Sequence, residues 1–177
     1  MDSIVKNLIY EREILSIGET IINISLISVN YDFENYYLET TNRRYSLKIN
    51  KKSVDQCSVI NRMYNDIKFN PLTSREIYYS DPEILLMEYF QAESSDMRFL
   101  NQHIFGESIA KFHTKRESYY GYGYDTYIGS LLQENKMSQS WKKFYLNQRF
   151  DCLLSKMKET LSINSELNDK VLIVRDY

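Results

Sequence analysis

Little in this chain bends, crosslinks or spans. Its 177 residues hold two prolines and five glycines, and no repeat or low-complexity tract runs through them, which excludes repeat architectures. No apolar run approaches the ~18 residues that a membrane-spanning helix needs, so no membrane partner is expected. The amino-terminal stretch MDSIVKNLIYERE has no apolar core of a secretory leader. Only two cysteines occur, Cys57 and Cys152, too far apart for a ligand spacing. The expectation is a cytoplasmic, reduced protein with two free thiols. A formal charge of −2 and a pI near 5.8 give no electrostatic pull toward nucleic acid. The short basic clusters Arg43-Arg44, Lys51-Lys52 and Lys142-Lys143 are interleaved with acids and read as solvated surface. Histidine is equally sparse, at two residues.

What is present is enough apolar material, 43% of residues, to bury a core in one domain or in two small lobes around a cleft. Sixteen tyrosines fit a genome biased toward AT-rich codons better than a carbohydrate-stacking surface. Ile4, Val5, Leu8, Ile9 and Ile14-Leu15 approximate one helical stripe over 2–15. From Ile21 the period drops to two: Ile22, Ile24, Leu26, then Tyr36 and Leu38, alternate with polar residues. Thr41-Asn42 separates YYLET from YSLKIN and predicts a hairpin. Val54, Cys57, Ile60, Met63-Tyr64 and Ile67 predict a helix over 53–67, which Asn70-Pro71 ends. Two strands, Ile77–Tyr79 and Ile84–Met87, flank a Ser80-Asp81-Pro82-Glu83 turn. A polar linker, QAESSD, leads to a helix over 96–117 with Phe99-Leu100, Ile104, Ile109 and Phe112 on its apolar face. A turn-rich segment precedes a helix from about Gln139 to Met157, and Val171–Val174 forms a last apolar run. This order suits a small antiparallel lobe followed by helices, although other α+β domains share it.

Residues 120–149, YGYGYDTYIGSLLQENKMSQSWKKFYLNQR, are the most distinctive. Two glycine turns, Gly121 and Gly129, flank an aromatic run. The polar pair Gln133 and Asn135 follows, then Trp141 opens a helix carrying Phe144 and Arg149. This segment resembles that of the fructosamine kinase (ketosamine-3-kinase) family, which reads roughly aromatic-Gly-Phe-Asp, Ile-Gly-Ser, Gln-x-Asn, Trp and Phe-Phe. SVNYDFENYYLETTNRRYSLKIN aligns without a gap to the family's Ser-Gly-Gly…Tyr-x-Leu-Glu-Thr…Phe-x-Lys-x-Asn. Leu85-Leu86-Met87-Glu88-Tyr89-Phe90 resembles its Leu-Leu-Leu-Glu-Tyr-Leu hinge. Phe105-Gly106…Ile109-Ala110…Phe112-His113 resembles its Leu-Gly…Leu-Ala…Leu-His.

The resemblance implies an α+β, protein-kinase-like fold: an antiparallel-sheet small lobe over 1–90 and the first helices of a helical large lobe over 91–177. It implies ATP and magnesium as cofactors and phosphorylation of the sugar of ketosamine adducts on amines or proteins, so that a ketosamine small molecule or a glycated protein is the partner. Lys48, on a strand between apolar Leu47 and Ile49, points to the face opposite theirs; by resemblance it neutralises phosphate charge. Gln56 stands where the family has a glutamate pairing with that lysine, and neighbouring Asp55 lies about 100° away around the helix. Met87 would lie against adenine, and the backbone of Glu88 and Phe90 would hydrogen-bond it. Trp141 reads as a packing anchor, His113 as structural, and the role of Arg149 stays open.

The chain also departs from the family pattern. The family's two loop glycines fall on Val29 and Asn30, where a stiff β-branched side chain resists φ > 0. The family's His-Gly-Asp-Leu lies over Val174-Arg175-Asp176-Tyr177, so Asp176 would be the catalytic base, with histidine and glycine replaced. The family's magnesium ligands come later still and have no counterpart in these residues. The expectation is therefore a shortened kinase with impaired transfer and uncovered apolar helix faces that favour self-association. The alternative is a non-catalytic, pseudokinase-like binding module or degraded remnant.

Overall fold

A computed structural model describes residues 2–52, 54–67, 75–91, 98–114 and 116–160. The chain divides into two compact units, 1–115 and 116–177. The first unit is built on a five-stranded antiparallel sheet of β1 (Ile21–Val29), β2 (Phe33–Thr40), β3 (Arg44–Asn50), β4 (Ile77–Ser80) and β5 (Ile84–Glu88). Its spatial order is β1-β2-β3-β5-β4, so β3 lies between β2 and β5. Helix α1 (Asp2–Glu11) precedes the sheet, and α2 (Gln56–Asp66) connects β3 to β4.

The period-two pattern of the strands gives the sheet two unlike faces. Tyr36 and Leu38 of β2, Tyr45 and Leu47 of β3, and Ile84 and Leu86 of β5 share a core with Val5, Ile9 and Ile14. Phe33, Leu85 and Met87 point the other way and pack with Cys57 of α2, joined by Ile60 and Ile77. Val5 and Ile9 are one helical turn apart and both buried, whereas Ile4 of the expected stripe turns outward at 72% exposure. In β1 only Ile24 of the expected alternation is buried. The register slips between Ile21 and Asn23 and again between Leu26 and Ser28, and each bulge breaks the alternation.

The end of α1 is a Schellman turn. The Glu13 amide donates to the Tyr10 carbonyl and the Ile14 amide to the Ile9 carbonyl, at 3.2 and 3.1 Å. Ile14 thereby enters the same apolar cluster as Ile9. The residue that must turn left-handed is Glu13, with φ 50°, a position that ordinarily suits glycine. Arg12 then reaches the β4–β5 turn, where it pairs with Asp81 at 2.6 Å and with Glu83. Asp81 Oδ1 accepts from the amides of Glu83 and Ile84, at 2.8 and 2.6 Å. Glu19, 5% exposed, takes the Tyr45 hydroxyl at 2.8 Å and that of Thr40, tying the loop before β1 to the β2–β3 hairpin.

Helix α3 (Arg98–His113) completes the described part of this unit. Of the apolar face expected there, Ile104 is 51% and Ile109 36% exposed, and Phe112 is partly buried. The second unit holds the hairpin β6 (Thr126–Ile128) and β7 (Leu131–Gln133), then α4 (Trp141–Tyr145), a π-helical turn over Leu146–Phe150, and α5 (Asp151–Thr160). The single helix expected over 139–157 is thus interrupted by wider i→i+5 bonding. The Asn70-Pro71 stop, most of the 91–96 linker and the 171–174 run lie outside the described residues. Among the described residues no helix is long and apolar enough to cross a membrane.

Replacing Glu13 with glycine should remove the left-handed penalty and raise stability by about 0.5–1 kcal/mol, read as a higher midpoint in urea. A second expectation concerns acid. Burial pushes the Asp81 carboxyl up, but the Ile84 and Glu83 amides, Arg12 and Tyr79 outweigh it and hold its pKa below the ordinary 3.8. A depressed carboxyl stabilises the fold above its unfolded value, and that contribution is lost as pH falls through the folded value. The chain should therefore lose stability below about pH 4, and Asp81→Asn should flatten that acid limb in thermal melts.

Candidate functional site

The face of the sheet that carries α2 also carries the polar half of β3. Ser46, Lys48 and Asn50 point to it while Tyr45, Leu47 and Ile49 point to the other core. Lys48 is opposite Asn35 of β2 and Leu85 of β5, and its Nζ sits 5.4 Å from the centroid of the Phe33 ring. The ammonium is half-buried. Burial holds its pKa below the ordinary lysine value, the Cys57 thiol opposes this and the Arg75 cation adds to the depression. Among the described residues no carboxylate forms an ion pair with it. A cation so placed is costly to the fold.

Asn50, 4% exposed, aligns α2 beside it. Its Nδ2 donates to the Val54 carbonyl at 2.7 Å and its Oδ1 accepts the Lys52 amide at 2.9 Å. Of the two polar residues opening the helix, Gln56 turns inward, 1% exposed, and Asp55 stays in solvent. Gln56 brings dipole and no countercharge. Its neighbour Cys57 is fully buried, and burial, then Asp81, pushes its thiol up to about 12, so it stays neutral.

At the other end of the face, Met87 is 1% exposed and Phe90 is 52% exposed. The Glu88 amide donates to the Glu76 carbonyl at 2.8 Å and is not available to a base. Tyr37 and Tyr89 meet edge to face at 4.8 Å. Arg75 touches both hinge side chains: its guanidinium is 3.7 Å from the Met87 sulfur and 5.1 Å from the centroid of the Phe90 ring. Neither Arg75 nor Tyr37 stood out in the sequence, because no periodic or motif signal marks a strand-edge arginine or one tyrosine among sixteen.

The turn between β1 and β2 closes on itself. Asn30 Oδ1 accepts the amides of Asp32 and Phe33, at 3.0 and 2.7 Å, while the Asn30 amide donates to the Phe33 carbonyl at 2.9 Å. This is the asparagine turn that Asn-x-Asp favours, and it needs no left-handed residue: Glu13 is the only non-glycine residue with positive φ among those described. Asp32 is 7% exposed, and its Oδ1 meets no donor among the described residues.

The second unit holds a separate polar centre. Asn135, 6% exposed, directs its Nδ2 at the Tyr124 carbonyl, Thr126 Oγ1 and the Gln133 carbonyl, at 3.0, 2.9 and 3.2 Å. Its amide donates to Asp125 Oδ1 at 3.0 Å, and its Oδ1 accepts from Arg149. Arg149 comes from the π-helical turn and lies 4.6 Å over the Phe144 ring. Burial lowers its pKa, countered by Cys152 and Tyr122. The glycines serve this packing. A Cβ on Gly121 would come within 3.0 Å of Phe144, and Gly129, φ 55°, opens the two-residue β6–β7 turn in the manner of type II′. Trp141 packs on Tyr120, Phe144 and Tyr145 at 5.5–6.0 Å, yet it is 55% exposed. His113 sits in the exposed last turn of α3. Asp176 lies outside the described residues.

Among the described residues no three His, Cys, Asp or Glu side chains gather in one place.

Comparison with known proteins bears on this geometry. The family described as fructosamine kinase matches residues 11–175. A protein of Enterococcus faecium provisionally assigned as a ketoamine kinase is 26% identical over 144 residues, 78% of this chain and 50% of the relative. A solved structure from Haemophilus somnus, provisionally assigned as a fructosamine-3-kinase, superposes with a TM-score of 0.71 at 22% identity, covering 97% of this chain and 59% of its own. Another so assigned, from Thermobifida fusca, gives 0.69 at 18% identity, covering 92% and 56%. The chain thus spans about half the length of the curated relative it matches, and the α+β fold is that of the two solved structures.

Because the Lys48 ammonium is half-buried and no carboxylate among the described residues pairs with it, Lys48→Met should raise the melting temperature by roughly 2–4 °C. A fall in melting temperature would show that the lysine is paired in solution.

Proposed function

We propose, from the premise that this chain belongs to the fructosamine kinase family, that its first unit is the nucleotide-side part of a kinase acting on the sugar of ketosamine adducts, with phosphate handling impaired in these residues. In this reading residues 1–90 form the nucleotide lobe and 91–177 begin the helical lobe. Lys48 meets a phosphate, Met87 lines the base and the Phe90 backbone addresses its edge. Gln56 orients Lys48 by dipole alone. Asp176 is the position proposed for the base that orients the sugar hydroxyl. ATP, when bound, supplies the phosphoryl group, and in phosphoryl transfer the protein contributes mainly position and charge stabilisation.

The observation that carries the reading is the half-buried ammonium of Lys48, which no carboxylate pairs among the described residues, near the Phe33 ring on the face where Leu85 and Met87 pack with Cys57. An uncompensated cation in an apolar setting is a ready anion site. Supporting impairment, Asn30 occupies backbone donors that a phosphate would need, and Gln56 brings no charge to hold the lysine. The alternative is a family member that binds a nucleotide without catalysis, favoured by the same two features.

A direct comparison tests this. The chain and a full-length relative are given fructosyl-lysine, ATP and magnesium, and transfer is followed by phosphorus NMR. Transfer by the chain should be at least about 100-fold slower. Adenosine monophosphate should still raise its melting temperature, and Lys48→Met should abolish that rise. Transfer at the relative's rate would refute impairment, and no response to any adenine ligand would refute the nucleotide site.

A further inference from the structure

The β1–β2 turn in this chain is built against a polyphosphate. Loops that cradle phosphates present several backbone N–H groups pointing outward and carry no negative charge of their own. Here the amides of Asn30, Asp32 and Phe33 are all engaged inside the turn. The carboxamide of Asn30 does what a phosphate oxygen would do, and it is covalently present. The same turn carries the Asp32 carboxylate, 7% exposed, with Oδ1 lacking a donor. At least one of its two oxygens is therefore left without a hydrogen bond among the described residues. Among the described residues no ion pair joins the carboxylate to Lys48 either. What the turn does supply is Phe33, whose ring roofs the Lys48 ammonium at 5.4 Å.

We propose that this site accepts a nucleoside or nucleoside monophosphate and discriminates against di- and triphosphates, with Asn30 and Asp32 as the discriminating residues. The inference rests on Lys48 marking the nucleotide site. Lys48 answers one phosphate, while the Lys52 ammonium is engaged on the Tyr31 ring at 3.8 Å and Arg75 on Met87 and Phe90. Each further phosphate extends toward a turn whose Asn30, Asp32 and Phe33 amides are occupied and which carries the Asp32 carboxylate. Affinity should then stay flat or fall as phosphates are added, the reverse of a site with an open glycine loop.

The test is calorimetric titration of the whole chain with adenosine, AMP, ADP and ATP, without divalent metal and at one ionic strength. AMP should bind at least as tightly as ATP. Asp32→Asn keeps the shape and removes the charge; it should tighten ATP about tenfold, the size of one close charge contact near a surface. Neutral adenosine should change by less than about twofold. Asn30→Gly, which releases two amides, should likewise favour ATP over adenosine. Tenfold or tighter binding of ATP than of AMP by the unaltered chain would overturn the inference while leaving the nucleotide site standing. So would an Asp32→Asn effect equal for ATP and adenosine. Absence of binding by all four ligands would overturn both. Should either variant fail to fold, the ranking of AMP against ATP in the unaltered chain decides alone.

Discussion

The register of β3 between β2 and β5 is the constraint on which the first unit depends. Side chains alternate along a strand, so a slip of one residue exchanges every side chain between faces. Tyr45 and Leu47 would leave the core shared with α1, and Lys48 would enter it. The buried hydroxyl of Tyr45 on Glu19 opposes that slip, since both partners would be stranded away from water. The apolar cluster and the lone ammonium are thus two consequences of one pairing. The face that α1 covers is apolar apart from the Tyr45–Glu19 hydrogen bond, and Lys48 lies on the face that α2 covers in part.

Around that frame, connections are made by polar side chains closing on backbone. Asn30 closes the β1–β2 turn, Thr40 and Glu19 hold the β2–β3 hairpin, Asn50 sets the approach to α2, and Asp81 closes β4–β5. With five glycines in the chain, these four connections do not rely on left-handed backbone. Asparagine and aspartate replace it by supplying acceptors to neighbouring amides. The substitution has a chemical consequence. A glycine loop leaves amides for a ligand, whereas an asparagine loop uses them, and the carboxylate of Asp32 comes with it.

The second unit solves a different problem in the same way. Asn135 gathers the hairpin and the helix that follows, and the π-helical turn widens the backbone enough to present Arg149 to it. π-turns often mark sites where one side chain must be re-aimed. Here the aim is a carboxamide oxygen, with the guanidinium stacked on Phe144. The polar pair that stood out in the sequence is therefore explained by packing, and the exposed Trp141 rests on an aromatic group of the same unit.

Much was legible in the sequence because it depends on local periodicity and spacing. The hairpin about Thr41-Asn42, the two faces of β3, the helix bearing Cys57, the strand pair about Asp81-Pro82 and the family itself all follow from short-range pattern. So did the departure at Val29 and Asn30. Other features required the folded chain, because they arise where residues distant in sequence meet. Arg12 finds Asp81 and Arg75 finds Met87 and Phe90 only once the sheet has assembled, and no periodicity announces either arginine. The bulges that turn Ile22 and Leu26 outward depend on pairing with β2. Whether Asp55 or Gln56 turned inward was a question of helix rotation, set by Cys57 packing against Leu85 and Met87. Sequence alone determined which strands form and which face Lys48 takes, since backbone alternation requires nothing beyond the next residue. Only tertiary structure decided that the lysine would have no carboxylate partner among the described residues and that the β1–β2 turn would be closed, because charge and hydrogen-bond satisfaction depend on everything packed around a group.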